Sequence, residues 1–114
     1  MNLDFKKKDN ILIVSIFGEI DHHTSGELRS NIEKEFLSSN VNNIIFDFSN
    51  VTFMDSSGIG MIIGRYKYVK NFGGKVFVSN INSTFDKIFK LSGLYKIIKV
   101  YNSIDDAIIA IQEV

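Results

Sequence analysis

Cysteine is absent from the sequence, and so is proline. Without cysteine there is no disulfide framework, no thiol nucleophile and no cysteine-based zinc site. Without proline, no proline-rich linker divides the chain. No apolar run approaches the roughly 18 residues of a membrane span, and no signal-peptide core stands at the N-terminus, so a cytoplasmic protein is expected. Charge of one sign is lacking too, since 13 basic residues balance 13 acidic ones. A nucleic-acid binder needs a basic face, so no nucleic-acid partner is expected. Lys6-Lys7-Lys8 is short and reads as a solvated turn.

What is present is apolar: hydrophobic residues make up 45% of the chain and phenylalanine occurs ten times. At 114 residues a single domain over 1–114 is expected. A chain of this size buries somewhat over roughly 60% of its unfolded surface, enough for a core without covalent staples.

Leu3 and Phe5 alternate with Asp4 and Lys6 as in a short edge strand, and Lys8-Asp9-Asn10 reads as a hairpin turn. Ile11 to Phe17 is β-branched and nearly all apolar, the pattern of a central strand, and Gly18 ends it. Glu19 to His23 reads as a loop. Thr24-Ser25-Gly26-Glu27 fits the S/T-x-x-E capping box, so a helix is expected from about 25 to 38, with Leu28, Ile32, Glu35 and Phe36 at helical spacing. A strand at 44–48 and a helix from about 57 to 71 follow, the helix closed by Gly73-Gly74 as a left-handed cap. Lys75 to Ser79 is a further core strand. Ser83 to Asp86 opens a short helix with Phe85, Ile88, Phe89 and Leu91 on its apolar face, closed by Ser92-Gly93. Ile97 to Tyr101 is a last strand, and Ser103 caps a final helix that buries Ile104, Ala107, Ile108 and Ile111. The order ββαβαβαβα predicts an α/β domain whose mixed, mostly parallel sheet has four to five strands, with about four helices.

The stretch Asn43 to Gly64 organises the rest. Ile44-Ile45-Phe46-Asp47-Phe48 is a buried strand, and Ile59, Ile62, Ile63, Tyr66 and Val69 mark one face of the helix after it. Between them, Asp55 or Ser56 can cap that helix. Two hydroxyls and a carboxylate, Asp55-Ser56-Ser57, thus stand beside the unpaired amides of a helix start, where an anion such as phosphate is favoured. Gly58 and Gly60 leave backbone uncovered nearby. Gly60 and Gly64 flatten one helix face, and Met61, Arg65 and Tyr68, expected to be exposed beside them, are residue types that anchor interfaces. Asp21, His22, His23 and Thr24 follow a core strand and should emerge on the same side as Ser56.

Other chemistries fit less well. Adjacent histidines cannot easily share one metal, and no third ligand stands at suitable spacing, so no metal site is expected. Ser56 lacks the Gly-x-Ser-x-Gly elbow of a hydrolase. Gly58-x-Gly60-x-x-x-Gly64 misses the dinucleotide fingerprint by one residue, and the next strand ends without the ribose-binding acid. No cofactor and no catalytic residue are expected.

Phe53-Met54-Asp55-Ser56-Ser57-Gly58-Ile59-Gly60, followed by Gly64-Arg65-Tyr66-Lys67, closely resembles the anti-sigma factor antagonists of the STAS domain family. The sporulation type, which partners a serine-kinase anti-sigma factor, is the nearest. Gly18 to Thr24 is similar to that group's first β–α loop, and Ser92-Gly93-Leu94 with Lys96-Ile97-Ile98 to its C-terminal segment. The resemblance covers essentially the whole chain, with no departure at the motif positions. It implies a STAS-like mixed sheet with helices, and a regulatory binding protein rather than an enzyme. In this reading the unmodified form binds the kinase anti-sigma factor and frees a sigma factor of sporulation or stress. The kinase, which brings the Mg-ATP or ADP, then phosphorylates Ser56, and a serine phosphatase reverses the step. The face offered to the kinase comprises Asp21, His22, His23, Thr24, Asp55, Ser57, Gly58, Gly60, Met61, Gly64, Arg65 and Tyr68, and the free protein is expected to be a monomer. Two alternatives are a STAS module that binds a nucleotide or other small ligand, and a scaffold subunit of a larger regulatory assembly.

Overall fold

The structure, a computed structural model, describes residues 2–113. At its centre is β4 (Asn43–Asp47), all five residues of which are buried. It lies in a five-stranded sheet with β1 (Leu3–Lys8), β2 (Ile11–Ile16), β6 (Val76–Ser79) and β7 (Lys99–Tyr101), in the order β1-β2-β4-β6-β7. Only β1 is antiparallel to its neighbour; the β2–β4, β4–β6 and β6–β7 pairs are parallel. The sequence pattern accounts for this. β2, β4 and β6 are continuous apolar runs suited to burial on both faces, whereas β1 alternates and suits an edge. The β1–β2 hairpin turns through Asp9, whose φ of 54° an aspartate tolerates.

The pleat of these strands divides the core in two. Leu12, Val14 and Ile16 of β2, Ile44 and Phe46 of β4, and Val76 and Val78 of β6 face the larger cluster. There they meet α1 (Ser25–Ser38), α2 (Ser56–Lys70) and α3 (Ser83–Ser92). Ile11, Ile13, Ile45 and Phe77 face the opposite side, covered by Ala107 and Ile108 of α4 (Ile104–Gln112). Four helices and a mixed, mostly parallel five-stranded sheet are the architecture expected from the sequence. Among the described residues, no helix is long and apolar enough to cross a membrane.

The secondary structure and helix faces depart from the sequence reading in five places. Glu19 belongs not to a loop but to β3 (Gly18–Ile20), which pairs in parallel with β5 (Val51–Met54), a strand the sequence reading left out. Both are too short to show a period, and they become strands through pairing with each other. Gly18, at φ 92°, turns the chain out of β2 and donates its N–H to the Asn50 carbonyl at 2.9 Å. The expected Thr24–Glu27 capping box does not form: Thr24 occupies the cap position without a side-chain bond into the helix. α3 is capped one residue before the expected serine, by Asn82 accepting from the Phe85 N–H. Its Leu91, placed by spacing on the apolar face, is 90% exposed, because it stands two residues from Phe89, about 200° round the helix. Before β7 the chain forms a 3-10 turn at Leu94–Lys96, so that strand begins at Lys99 and not at Ile97.

Glycine is required at the close approach after α2. A Cβ on Gly74 would lie 1.4 Å from the carbonyl oxygen of Asn42, so the turn after α2 packs directly on the backbone leading into β4.

Candidate functional site

α2 begins where β5 ends, and Asp55 manages the junction. Its backbone is extended, at φ −110° and ψ −169°, and its carboxylate accepts the Ser57 N–H at 2.8 Å. Its carbonyl accepts the Gly58 N–H at 3.0 Å, and its own N–H donates to the Ile20 carbonyl at 3.3 Å. Asp55 is therefore a true N-cap, which also ties the helix start to β3. Ser56 is the first helical residue and is exposed; Ser57 is half-buried, with its amide already engaged. The two hydroxyls, which residue chemistry alone does not separate, are separated by the fold. Ser56 stands in water, at a helix end whose dipole favours an added anion.

Gly58 plays a different part from the one read in the sequence. It is buried, and a Cβ there would lie 2.3 Å from Met54 Cγ and 3.0 Å from Ile20 Cγ2. It presses the helix start onto β3 and β5 and is not open to a partner.

The segment Asp21 to Thr24 lies beside this junction, because Ile20 is paired with Met54 in the β3–β5 register. Asp21 Oδ1 accepts the N–H groups of His23 at 2.9 Å and Thr24 at 3.0 Å, while Thr24 Oγ1 accepts the Asp21 N–H at 3.0 Å. Thr24 Oγ1 also donates to the Glu19 carbonyl at 3.0 Å. This reciprocal pair does the work of a capping box three residues before the expected one. Partial burial pushes the Asp21 carboxyl upward, but the bonds from Thr24 and His23, with the nearby His23 ring, hold it below the ordinary carboxylate value. His22 and His23 project from this braced turn, both exposed, with ring centroids 5.6 Å apart.

Along α2, Gly60 is exposed and Gly64 half-buried, and neither has an atom within 4 Å of where its Cβ would be. Met61 and Arg65 are not the exposed residues expected from the sequence, being 5% and 6% accessible. Met61 joins the core with α1 residues Leu28 and Ile32. Arg65 reaches across to α1, where its Nη2 lies 2.8 Å from Glu33 Oε2. Burial lowers the Arg65 pKa and Glu33 opposes that shift. Spacing along α2 could not reveal this, because α1 supplies the cover. Tyr68 is half-buried against Phe36 and Phe72. Of the residues singled out in the sequence, then, Asp21 to Thr24, Asp55, Ser56, Ser57, Gly60 and Gly64 gather at one corner of the molecule. Met61 and Gly58 belong to its interior.

One polar centre escaped the sequence reading. Asp47, at the C-terminal end of β4, is 7% exposed. It accepts from Ser15 Oγ at 3.3 Å, Ser49 N at 3.0 Å, Ser49 Oγ at 3.1 Å and Asn80 Nδ2 at 2.9 Å. Burial raises its pKa, but these four bonds outweigh it and leave the carboxyl below the ordinary value. The sole sequence signal was a charged residue inside an apolar strand. The network fastens the strand ends that carry the loops near the site.

The fold has known counterparts. Residues 2–107 match the family model described as STAS domain. An anti-sigma F factor antagonist of Paenibacillus polymyxa is 36% identical over 105 residues, which are 90% of each chain. The solved structure of the anti-sigma factor antagonist SpoIIAA in its unphosphorylated form is 25% identical, with a TM-score of 0.75 over 98% of this chain and 99% of that one. The structure of the Bacillus cell fate determinant SpoIIAA in the phosphorylated form is 28% identical, with a TM-score of 0.73 over 96% of this chain and 99% of that one. With a family match over nearly its whole length and the fold to go with it, the chain belongs to the STAS domain family.

Proposed function

We propose that this protein is an anti-sigma factor antagonist switched by phosphorylation of Ser56. Its unmodified form binds a serine-kinase anti-sigma factor and so releases a sigma factor. The kinase, using its own Mg-ATP, phosphorylates Ser56 and ends the interaction, and a serine phosphatase restores it. The observation that carries this reading is the exposure of Ser56 at the start of α2, beside a half-buried Ser57 whose amide is held by Asp55. The relatives add weight, being anti-sigma factor antagonists, one of them solved in both unphosphorylated and phosphorylated form.

A phosphate on Ser56 brings about −1.5 to −2 charges at pH 7. The helix start attracts that charge and Asp55 repels it, so the fold need not rearrange. A partner surface that accepts a neutral hydroxyl meets a dianion instead, and binding is lost by repulsion and bulk. The braced turn Asp21 to Thr24 and the flat stripe at Gly60 and Gly64 border Ser56 and complete the partner face.

The test is incubation with the candidate kinase anti-sigma factor and Mg-ATP, followed by mass spectrometry and a binding measurement. One phosphate on Ser56, kept in Ser57→Ala and absent in Ser56→Ala, with loss of kinase binding, is expected. Equal labelling of Ser56→Ala and wild type would sink the proposal. A stable complex that never gains phosphate would leave a binding module regulated by other means.

A further inference from the structure

The buried guanidinium of Arg65 is only partly satisfied. Its Nη2 is paired with Glu33, but Nε and Nη1 have no hydrogen-bond partner among the described residues, although Arg65 is 6% exposed. Arg65 lines a groove of about 250 Å³ between α1 and α2, whose walls also include Arg29, Gly26, Ser57, Gly60 and Gly64. At roughly 30 Å³ per water, that is the liquid volume of about eight waters. Nothing lies within 4 Å of where a Cβ would stand on Gly26, Gly60 or Gly64, so no side chain roofs the space.

The charges are unequal. Arg29 Nε lies 3.8 Å from Glu33 Oε2, the same oxygen that Arg65 Nη2 approaches to 2.8 Å. Two cations thus share one carboxylate, and the Arg65 guanidinium has besides it only the face of the Tyr68 ring, 6.0 Å away, among the described residues. Guanidinium N–H groups match the oxygens of phosphate and carboxylate, and an unpaired buried donor carries a desolvation cost that an incoming acceptor removes.

We propose that the groove between α1 and α2 binds a small phosphate-type oxyanion, held between Arg65 and Arg29. The two guanidiniums converge on one Glu33 oxygen, so a ligand beside them must offer acceptor oxygens to two neighbouring donor forks at once. A tetrahedral phosphate does this, and a planar carboxylate does it poorly. Ser56 does not line the groove but Ser57, Gly60 and Gly64 do, so the site adjoins the partner face proposed above without including the phosphorylated hydroxyl.

The experiment is a titration of the full chain with inorganic phosphate at constant ionic strength, followed by amide NMR, with acetate as a parallel arm. Saturable shifts at the Gly26, Gly60 and Gly64 amides are expected with phosphate and not with acetate. Arg29→Gln, an exposed change, should weaken phosphate binding about fivefold. The paired change Arg65→Met with Glu33→Gln leaves no buried charge unpaired and should abolish binding while the spectrum keeps its dispersion. Should that pair fail to fold, the wild-type shifts and the Arg29→Gln affinity still decide the matter. Shifts that stay linear in phosphate, that centre on Lys6 to Lys8, or that Arg29→Gln leaves unchanged would overturn the proposal. Equal response to acetate would also overturn it, as a general anion effect.

Discussion

The Asp55 carboxylate holds the Ser57 amide at 2.8 Å and so closes the first turn of α2 directly beside the exposed Ser56. Removing an aspartate N-cap costs about 1 kcal/mol. Asp55→Ala is therefore expected to lower stability by about that amount in urea unfolding with an unchanged m-value, and Asp55→Asn by much less. The same variant should blur the preference for Ser56 over Ser57 in a kinase assay, since the helix start is no longer held.

A change at Gly60 tests partner binding apart from folding. No atom crowds its missing Cβ, and alanine is better than glycine in a helix interior by about 1 kcal/mol. Gly60→Ala should raise the unfolding midpoint and, if the α2 stripe meets the kinase, weaken that complex at the same time. A more stable protein with undiminished binding would remove Gly60 from the interface.

Asp47 makes stability depend on pH. Its folded pKa is held below the ordinary value of 3.8 by four hydrogen bonds that outweigh burial. Its contribution is therefore fully present above that value and is lost as pH falls through the folded pKa. Asp47→Asn should destabilise the protein by about 1.5–3 kcal/mol at pH 7, the worth of hydrogen bonds to a charged group. The gap between variant and wild type should begin to narrow below about pH 3.8 and go on narrowing toward the folded pKa. A gap that stays constant down to pH 2.5 or so would assign the loss to packing.

Phe89 and Leu91 stand two residues apart in α3 with opposite fates, at 0% and 90% exposure. Phe89 packs on Phe48 and Tyr95, with ring centroids at 5.7 and 5.9 Å. Phe89→Ala should cost about 3–5 kcal/mol, and Leu91→Ala no more than about 0.5 kcal/mol. Thermal unfolding of the two variants side by side checks the assignment of that helix face.

The sequence by itself determined whatever is written in local pattern. The apolar runs of β2, β4 and β6, the helical spacing from Ile59 to Val69, a cap at Asp55 or Ser56 and the glycine stops announce themselves because turns, caps and periods involve residues close in the chain. The serine junction was legible for the same reason, lying in one continuous strand–cap–helix stretch. Tertiary structure alone decided what depends on a distant surface. β3 and β5 are strands only because Ile20 meets Met54, and neither segment is long enough to signal its partner. Arg65 and Met61 have the composition of an exposed hot spot, yet α1 covers them with Glu33, Leu28 and Ile32. Asp47 gathers Ser15 and Asn80 from neighbouring strand ends. Burial and hydrogen-bond satisfaction belong to the space between elements, and that space exists only once the chain has folded.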